Sequence, residues 1–325
     1  MVKLHGECWV ITDEAAGNQR QALALAQRLG LRIRHLQVEP RAPWSWLAPR
    51  LTLGALLALP PAQARQFAAP WPAVAIGCGR QAALYTRVLR TLSHARCYTV
   101  QILDPRTAPS HWDLVIAPRH DLASGPNVLQ PLGSLNPVDD DWLEDGRDAD
   151  PGFAELPAPR VGVLLGGPRQ GVRFDEGYIE QLATHLLARH RQEGGSLLVL
   201  ASRRTPPALV EMLRERLAGM PGLVWRGRQD GGNPYAGVLG WADRLVVTPD
   251  SVNMLSEACA VGCPVHTFVL GSLPPKLQRF HQALHDGGWL RTIDDDAPPA
   301  GPLRETAAIA ATLHERIAAR QATER

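Results

Sequence analysis

The feature that most constrains this chain is an alternation that occurs twice. Short apolar runs are each followed by a stretch of helical spacing, first across residues 8–117 and again from residue 160 onward. Runs this short, bounded by turn residues and alternating with helical segments, specify βα units and a mostly parallel sheet covered on both faces. In the first half Cys8–Thr12, Arg32–Gln37, Val74–Gly77, Tyr98–Leu103 and Leu114–Ala117 are predicted strands. Spacing over Asn18–Leu29 places Ala22, Leu25, Ala26 and Leu29 on one helical face, and a second helix is predicted over Gln81–Leu92. In the second half strands are predicted at Arg160–Leu165, Ser196–Ala201, Leu223–Trp225, Arg244–Thr248 and Val265–Phe268. Helices are predicted over Asp175–Arg191, Pro207–Leu217 and Val252–Ala260, with a last one in the Ala-rich tail Leu303–Ala319.

A chain of 325 residues exceeds one ordinary hydrophobic core. Between the two series, Asn136–Pro159 is rich in Asp, Pro and Gly with little periodicity, and it reads as the domain boundary. The expected organisation is an α/β domain over 1–150, a second α/β domain over 158–300, and a C-terminal helix over 301–325 that can pack back on the first domain.

The 45% hydrophobic and 20% charged content is that of a globular protein. With a formal charge of +2, no basic block and no aromatic stacking platform, a nucleic-acid partner is not expected. Lys3 and Lys276 are the only lysines, so Arg carries almost all the positive charge, a bias expected of a GC-rich bacterial genome. Five scattered cysteines, of which Cys259 and Cys263 are four apart, suggest neither a disulfide framework nor a zinc set. A cytoplasmic protein without a bound metal or signal peptide is expected. The most hydrophobic window, Pro43–Pro61, carries Arg50 and is too short and Pro-bounded to span a bilayer. It can pack on the domain or lie peripherally on the inner membrane face through Trp44, Trp46 and Leu47. Nothing in the sequence indicates an oligomeric state.

In open parallel sheets, ligands bind beyond the carboxyl ends of the strands, so the loops after strands carry the chemistry. Gly166 and Gly167, with Arg169 close behind, can bring backbone amides near an anion or simply make a tight turn. Ser202, Arg203, Arg204 and Thr205 offer two guanidiniums and two hydroxyls before a helix start, which suits a phosphate. The segment from Thr248 through Asp250, Ser251, Asn253, Ser256 and Glu257 runs into a helix. There Asp250 or Ser251 can cap, while Glu257 lies two turns in, where it can accept hydrogen bonds from ribose hydroxyls. The first loop holds Asp13, Glu14 and Asn18, and a carboxylate there can act as general base or cap the helix. There is no dinucleotide fingerprint, Walker lysine motif or nucleophile elbow, and Gly77-Cys78-Gly79 is only half of the first.

In order, Trp9-Val10-Ile11-Thr12-Asp13 with Gly17-Asn18-Gln19, Gln101-Ile102-Leu103-Asp104-Pro105-Arg106, Leu165-Gly166-Gly167-Pro168, Ser202–Pro206, Asn233-Pro234-Tyr235 and Thr248–Ala258 resemble the "elongated mitochondria" mitochondrial-fission family. That family has plant and many bacterial members and is itself similar to GT-B glycosyltransferases. The resemblance implies a GT-B-like fold of two Rossmann-like domains facing across a cleft. The second domain would take a nucleotide-sugar through Gly166, Gly167, Thr248, Ser251, Ser256 and Glu257. Its first domain would hold an acceptor near Asp13, and no cofactor or metal is implied. This loop lacks the histidine of related enzymes, so a base would have to be Asp13 or Glu14. The implied activity is a metal-independent glycosyltransferase of envelope metabolism. The alternatives are a non-catalytic fission-type adaptor and, third, a nucleotide-sugar epimerase.

Overall fold

A computed structural model describes residues 3–323. The chain divides into two compact units, Met1–Pro137 with Glu305–Arg325, and Val138–Arg304.

The first unit contains β1 (Glu7–Thr12), α1 (Ala16–Gln27), β2 (Arg32–Gln37), α2 (Trp44–Leu47), α3 (Pro61–Ala64), β3 (Val74–Cys78), α4 (Arg80–Leu92), β4 (Tyr98–Ile102), β5 (Leu114–Ile116) and β6 (Val128–Leu129). Its six strands are parallel, in the order β2-β1-β3-β4-β5-β6. Alternation along β1 sorts the core. Cys8 and Val10 point toward α1, while Trp9 and Ile11 point toward Leu84 and Tyr85 of α4. The polar strand β2 sits at the edge, where one face stays wet.

The second unit contains α5 (Asp140–Ala149), β7 (Arg160–Leu165), α6 (Glu176–Glu193), β8 (Ser196–Ala201), α7 (Pro207–Arg216), β9 (Gly222–Trp225), α8 (Tyr235–Trp241), β10 (Arg244–Val247), α9 (Val252–Cys259), β11 (Val265–Thr267), α10 (Pro275–Asp286) and β12 (Arg291–Thr292). Its parallel strands run β12-β11-β10-β7-β8-β9. Tyr178, Ile179 and Leu182 of α6 and Leu213 of α7 cover Val163, Leu197 and Val199. The tail helix α11 (Thr306–Thr323) returns to the first unit, where Ile309, Leu313 and Ile317 join Ala22 and Leu25 in one core.

The strand orders locate the crevices. Strand order reverses between β1 and β3 in the first sheet and between β7 and β10 in the second. At such a point the helices after the two strands leave toward opposite faces, and the chain cannot fill the gap between them.

Two segments differ from expectation. The acidic stretch after Asn136 is not irregular: Asp139 accepts the Trp142 amide at 2.9 Å and starts α5, which lies against α8. Only Leu143 and Gly146 of α5 are buried, so its apolar stripe is too thin to register as periodic. The apolar window 43–61 folds as α2 and a 3₁₀ turn at Ala55–Ala58, leading into α3 at Pro61. Among the described residues no helix is long and apolar enough to cross a membrane.

Candidate functional site

The second unit brings three loops together at its switch point. After β7, the Gly166 amide donates to the Thr248 hydroxyl at 2.8 Å and the Gly167 amide donates to Asp250 at 3.1 Å. Asp250 is fully buried, and its carboxylate also accepts from the Thr248 hydroxyl at 2.7 Å and from Arg204 at 2.6 Å. Arg169 reaches the Asp250 backbone carbonyl at 2.7 Å. One carboxylate thus ties the ends of β7, β8 and β10.

This geometry changes the meaning of the glycines. The amides expected to cradle an anion are already satisfied by Thr248 and Asp250. A Cβ on Gly166 would lie 2.1 Å from an Asp250 oxygen, and one on Gly167 would lie 2.4 Å from the Arg204 carbonyl. The pair is required for close approach of the protein to itself.

The Ser202–Thr205 loop is divided by direction. The Ser202 hydroxyl donates to the Gly166 carbonyl at 2.8 Å, and the Thr205 hydroxyl donates to the Leu165 carbonyl at 3.0 Å and to Gly166. These hydroxyls hold the loop to β7. Arg203 and Arg204 point outward: Arg203 is exposed, and Arg204 keeps about half its side chain in water (49%) while bonded to Asp250.

Ser251, and not Asp250, caps α9, accepting the Met254 amide at 3.3 Å. Asn253 lies in the first turn, and Ser256 donates back to the Val252 carbonyl at 2.8 Å. Glu257 is buried on α9, and its carboxylate accepts the Tyr235 hydroxyl at 2.5 Å. His281 of α10 is also buried. Its Nε2 faces the Pro249 carbonyl at 2.9 Å, while Nδ1 has no hydrogen-bond partner among the described residues. Burial pushes the His281 imidazole down to about 4, so it is neutral and Nε2 carries the donated proton. Tyr235 and His281 were not singled out as site residues. Tyr235 lies in the quoted Asn233-Pro234-Tyr235 motif, but no local pattern pairs it with Glu257, and His281 carries no local signal.

In the first unit, Asp13 accepts the Asn18 side-chain amide at 2.9 and 3.1 Å and the Ala15 amide at 3.1 Å. Ala15 is itself the N-cap position of α1, so Asp13 braces the loop ahead of the helix and does not cap it. Glu14 is exposed. Gly79 follows β3, and a Cβ there would lie 2.5 Å from Asn18 Nδ2 and 3.3 Å from Asp13. Half a fingerprint and the first loop therefore meet at this sheet's own switch point. Among the described residues, no cluster of His, Cys, Asp and Glu is arranged to hold a metal ion.

The family model described as Mitochondrial fission ELM1 matches residues 16–317. The chain belongs to this family. Mitochondrial fission protein ELM1 of Arabidopsis thaliana is 29% identical to this family member over 279 residues, covering 77% of this chain and 65% of the plant protein. The chain therefore spans just under two thirds of that relative's length. A Rickettsia prowazekii relative, Uncharacterized protein RP120, is 23% identical over 298 residues, 80% of this chain and 82% of its own. Among solved structures, the UDP-GlcNAc 2-epimerase of Methanocaldococcus jannaschii aligns with a TM-score of 0.53 at 10% identity, covering 95% of this chain and 99% of that one. The glycotransferase of kitacinnamycin aligns with 0.53 at 14%, covering 97% and 93%. At these identities the likeness establishes the fold, which is GT-B-like, with two six-stranded parallel sheets.

Proposed function

We propose that this ELM-family protein binds a nucleoside-diphosphate sugar at the switch point of its second unit and acts as a GT-B-type glycosyltransferase. The observation that carries the reading is the convergence of Arg169 and Arg204 on buried Asp250 where β7 and β10 diverge. Two guanidiniums against one carboxylate leave surplus positive charge at the mouth of the crevice, and exposed Arg203, next to Arg204 in the chain, adds to it. Asp250 holds Arg204 in place while half of that side chain stays in water, leaving donors for a diphosphate. The positive end of α9, starting at Ser251, lies in the same loop cluster and favours the same charge. Glu257, oriented by Tyr235, stands on α9 beyond it, and the ribose end of the ligand would face this pair. The solved epimerase structure in complex with UDP-GlcNAc and UDP has the same fold, which makes a uridine nucleotide the first ligand to try. A role in bacterial envelope metabolism and a site on the inner membrane face belong to this proposal.

One observation favours a second reading, an adaptor without turnover. Asp13, the base candidate, already accepts hydrogen bonds from Asn18 and the Ala15 amide, and Glu14 beside it points into solvent. The plant relative's name, a fission protein, fits such a role.

Calorimetric titration with UDP and UDP-GlcNAc tests the proposal. Arg204→Ala removes a charged donor worth about 1.5–3 kcal/mol, a loss of about ten- to a hundredfold in affinity. No heat with any nucleoside diphosphate or its sugar ends the proposal. Binding with no sugar released or transferred favours the adaptor.

A further inference from the structure

Residues 40–103 contain no Asp or Glu, yet carry Arg41, Arg50, Arg65, Arg80, Arg87, Arg90 and Arg96. In a chain with 32 acidic residues that is a strong local asymmetry, and the fold concentrates it. Arg80 donates to the carbonyls of Ser45 and Trp46 at 2.9 Å, Arg87 donates to that of Pro49, and Arg41 to that of Leu57 at 3.0 Å. Those bonds anchor the guanidiniums to segment 41–61 without neutralising them, because a backbone carbonyl carries no net charge.

The same segment is two-sided. Ala48, Ala55, Ala58 and Leu59 are buried with Trp9, Phe67 and Tyr85. From the opposite side project Trp46 (73% exposed), Leu47 (50%), Leu53 (84%) and Leu57 (75%). These are four of only seven large exposed apolar side chains among the described residues, and a fifth, Leu92, ends α4 nearby in sequence to Arg87 and Arg90. Scattered single exposures need no explanation, whereas a cluster does.

Beside the cluster lies an open cavity of about 330 Å³ lined by Thr52, Arg87, Arg90, Thr91, His94 and His111; none of these is acidic, although Arg90 is also ion-paired with Asp113 at 3.3 Å. Two of its lining residues, Thr52 and Thr91, are the chain neighbours of exposed Leu53 and Leu92. Burial, and to a lesser degree the Arg87 and Arg90 guanidiniums, pushes the His111 imidazole below its ordinary range.

We infer that this face of the first unit docks on an anionic phospholipid surface, with Trp46, Leu53 and Leu57 entering the interface and the Arg87–Arg90 cavity receiving a lipid phosphate headgroup. Apolar side chains and arginines on one face are what an anionic bilayer binds, the first by area and the second by surface potential. A soluble acidic partner would match the charge but leave Leu53 and Leu57 without a reason to project. The inference does not depend on the nucleotide reading.

Vesicle flotation of the full chain tests it, comparing phosphatidylcholine with phosphatidylcholine containing phosphatidylglycerol. Wild type is expected to float with the mixed vesicles and about tenfold less with phosphatidylcholine alone. Leu53→Asp with Leu57→Asp, both at exposed positions, should lower partitioning about tenfold on the mixed vesicles. Arg87→Gln with Arg90→Gln should abolish the preference for phosphatidylglycerol. If that pair melts low, Arg50→Gln with His94→Gln, at exposed side chains, takes its place. Three results overturn the inference. They are no flotation of wild type, flotation untouched by the leucine variants, and leucine variants that instead split a dimer in sedimentation. A melting shift with inorganic phosphate but no vesicle binding overturns it equally, since the cavity would then serve a free anion.

Discussion

Asp250 accepts the backbone amide of Gly167 at 3.1 Å from a fully buried position, so the loop after β10 closes over the loop after β7. The two loops flank the point where strand order reverses, and the shape of the crevice follows from this one contact and its neighbours. Asp250 holds a glycine loop, a threonine hydroxyl and an arginine at once, and each of these depends on the others.

Gly166→Ala and Gly167→Ala are therefore expected to unfold the loop cluster before they affect any ligand. The added methyl would meet the Asp250 carboxylate or the Arg204 carbonyl at 2.1–2.4 Å, and relief requires backbone movement. A loss of about 2–3 kcal/mol in urea unfolding is expected for each. Wild-type stability in either variant would mean that the loops do not close on one another as described.

Tyr235→Phe removes the donor to a buried carboxylate. The expected cost is about 1.5–3 kcal/mol, because Glu257 loses a partner it cannot replace with water. Glu257→Gln should cost less, since an amide still accepts from the Tyr235 hydroxyl. Thermal denaturation of the two single variants and the double variant reads the coupling, and additivity would show that the pair does not interact.

His281 makes stability depend on pH. Its imidazole has an ordinary value near 6.5 and is pushed to about 4 by burial, so between these values the unfolded chain holds a proton that the folded chain does not. Stability then rises with pH through that window and falls as pH drops from 6.5 toward 4, by about 3 kcal/mol in total. His281→Gln should flatten this segment of the stability curve while lowering the plateau above it. An unchanged slope in the variant would assign the dependence to other groups.

Asp13 and Asn18 should couple in the first unit. Each single alanine substitution loses the contacts at 2.9 and 3.1 Å, and the double variant loses them only once. A coupling of about 0.5–1 kcal/mol is expected in a double-mutant cycle of unfolding free energies. Zero coupling would leave Asp13 available for another role.

The alternation of short apolar runs and helical spacing was enough to determine the parallel α/β class, because a strand buried on both faces must be apolar throughout and helices must cover it. The ordered motifs pointed to the family. They also led to the loops after β7, β8 and β10, since ligand-facing loops follow strands in such sheets. Local sequence did not decide what each loop residue does there. Gly166 and Gly167 could be an anion cradle or a tight turn by sequence, and their amides are used by Thr248 and Asp250, which lie about eighty residues away in sequence (82 and 83 positions). Either Asp250 or Ser251 could cap α9 by sequence; Ser251 does, while Asp250 is held by the Gly167 amide across the switch point. The α5 helix stayed hidden because only Leu143 and Gly146 face inward. Composition marked segment 43–61 as apolar without saying which side chains are covered. Packing against Trp9 and Tyr85 settled that, burying the alanines and leaving Trp46, Leu53 and Leu57 outside. Period and composition report what a residue can bury or bond, and only the tertiary structure supplies the partner.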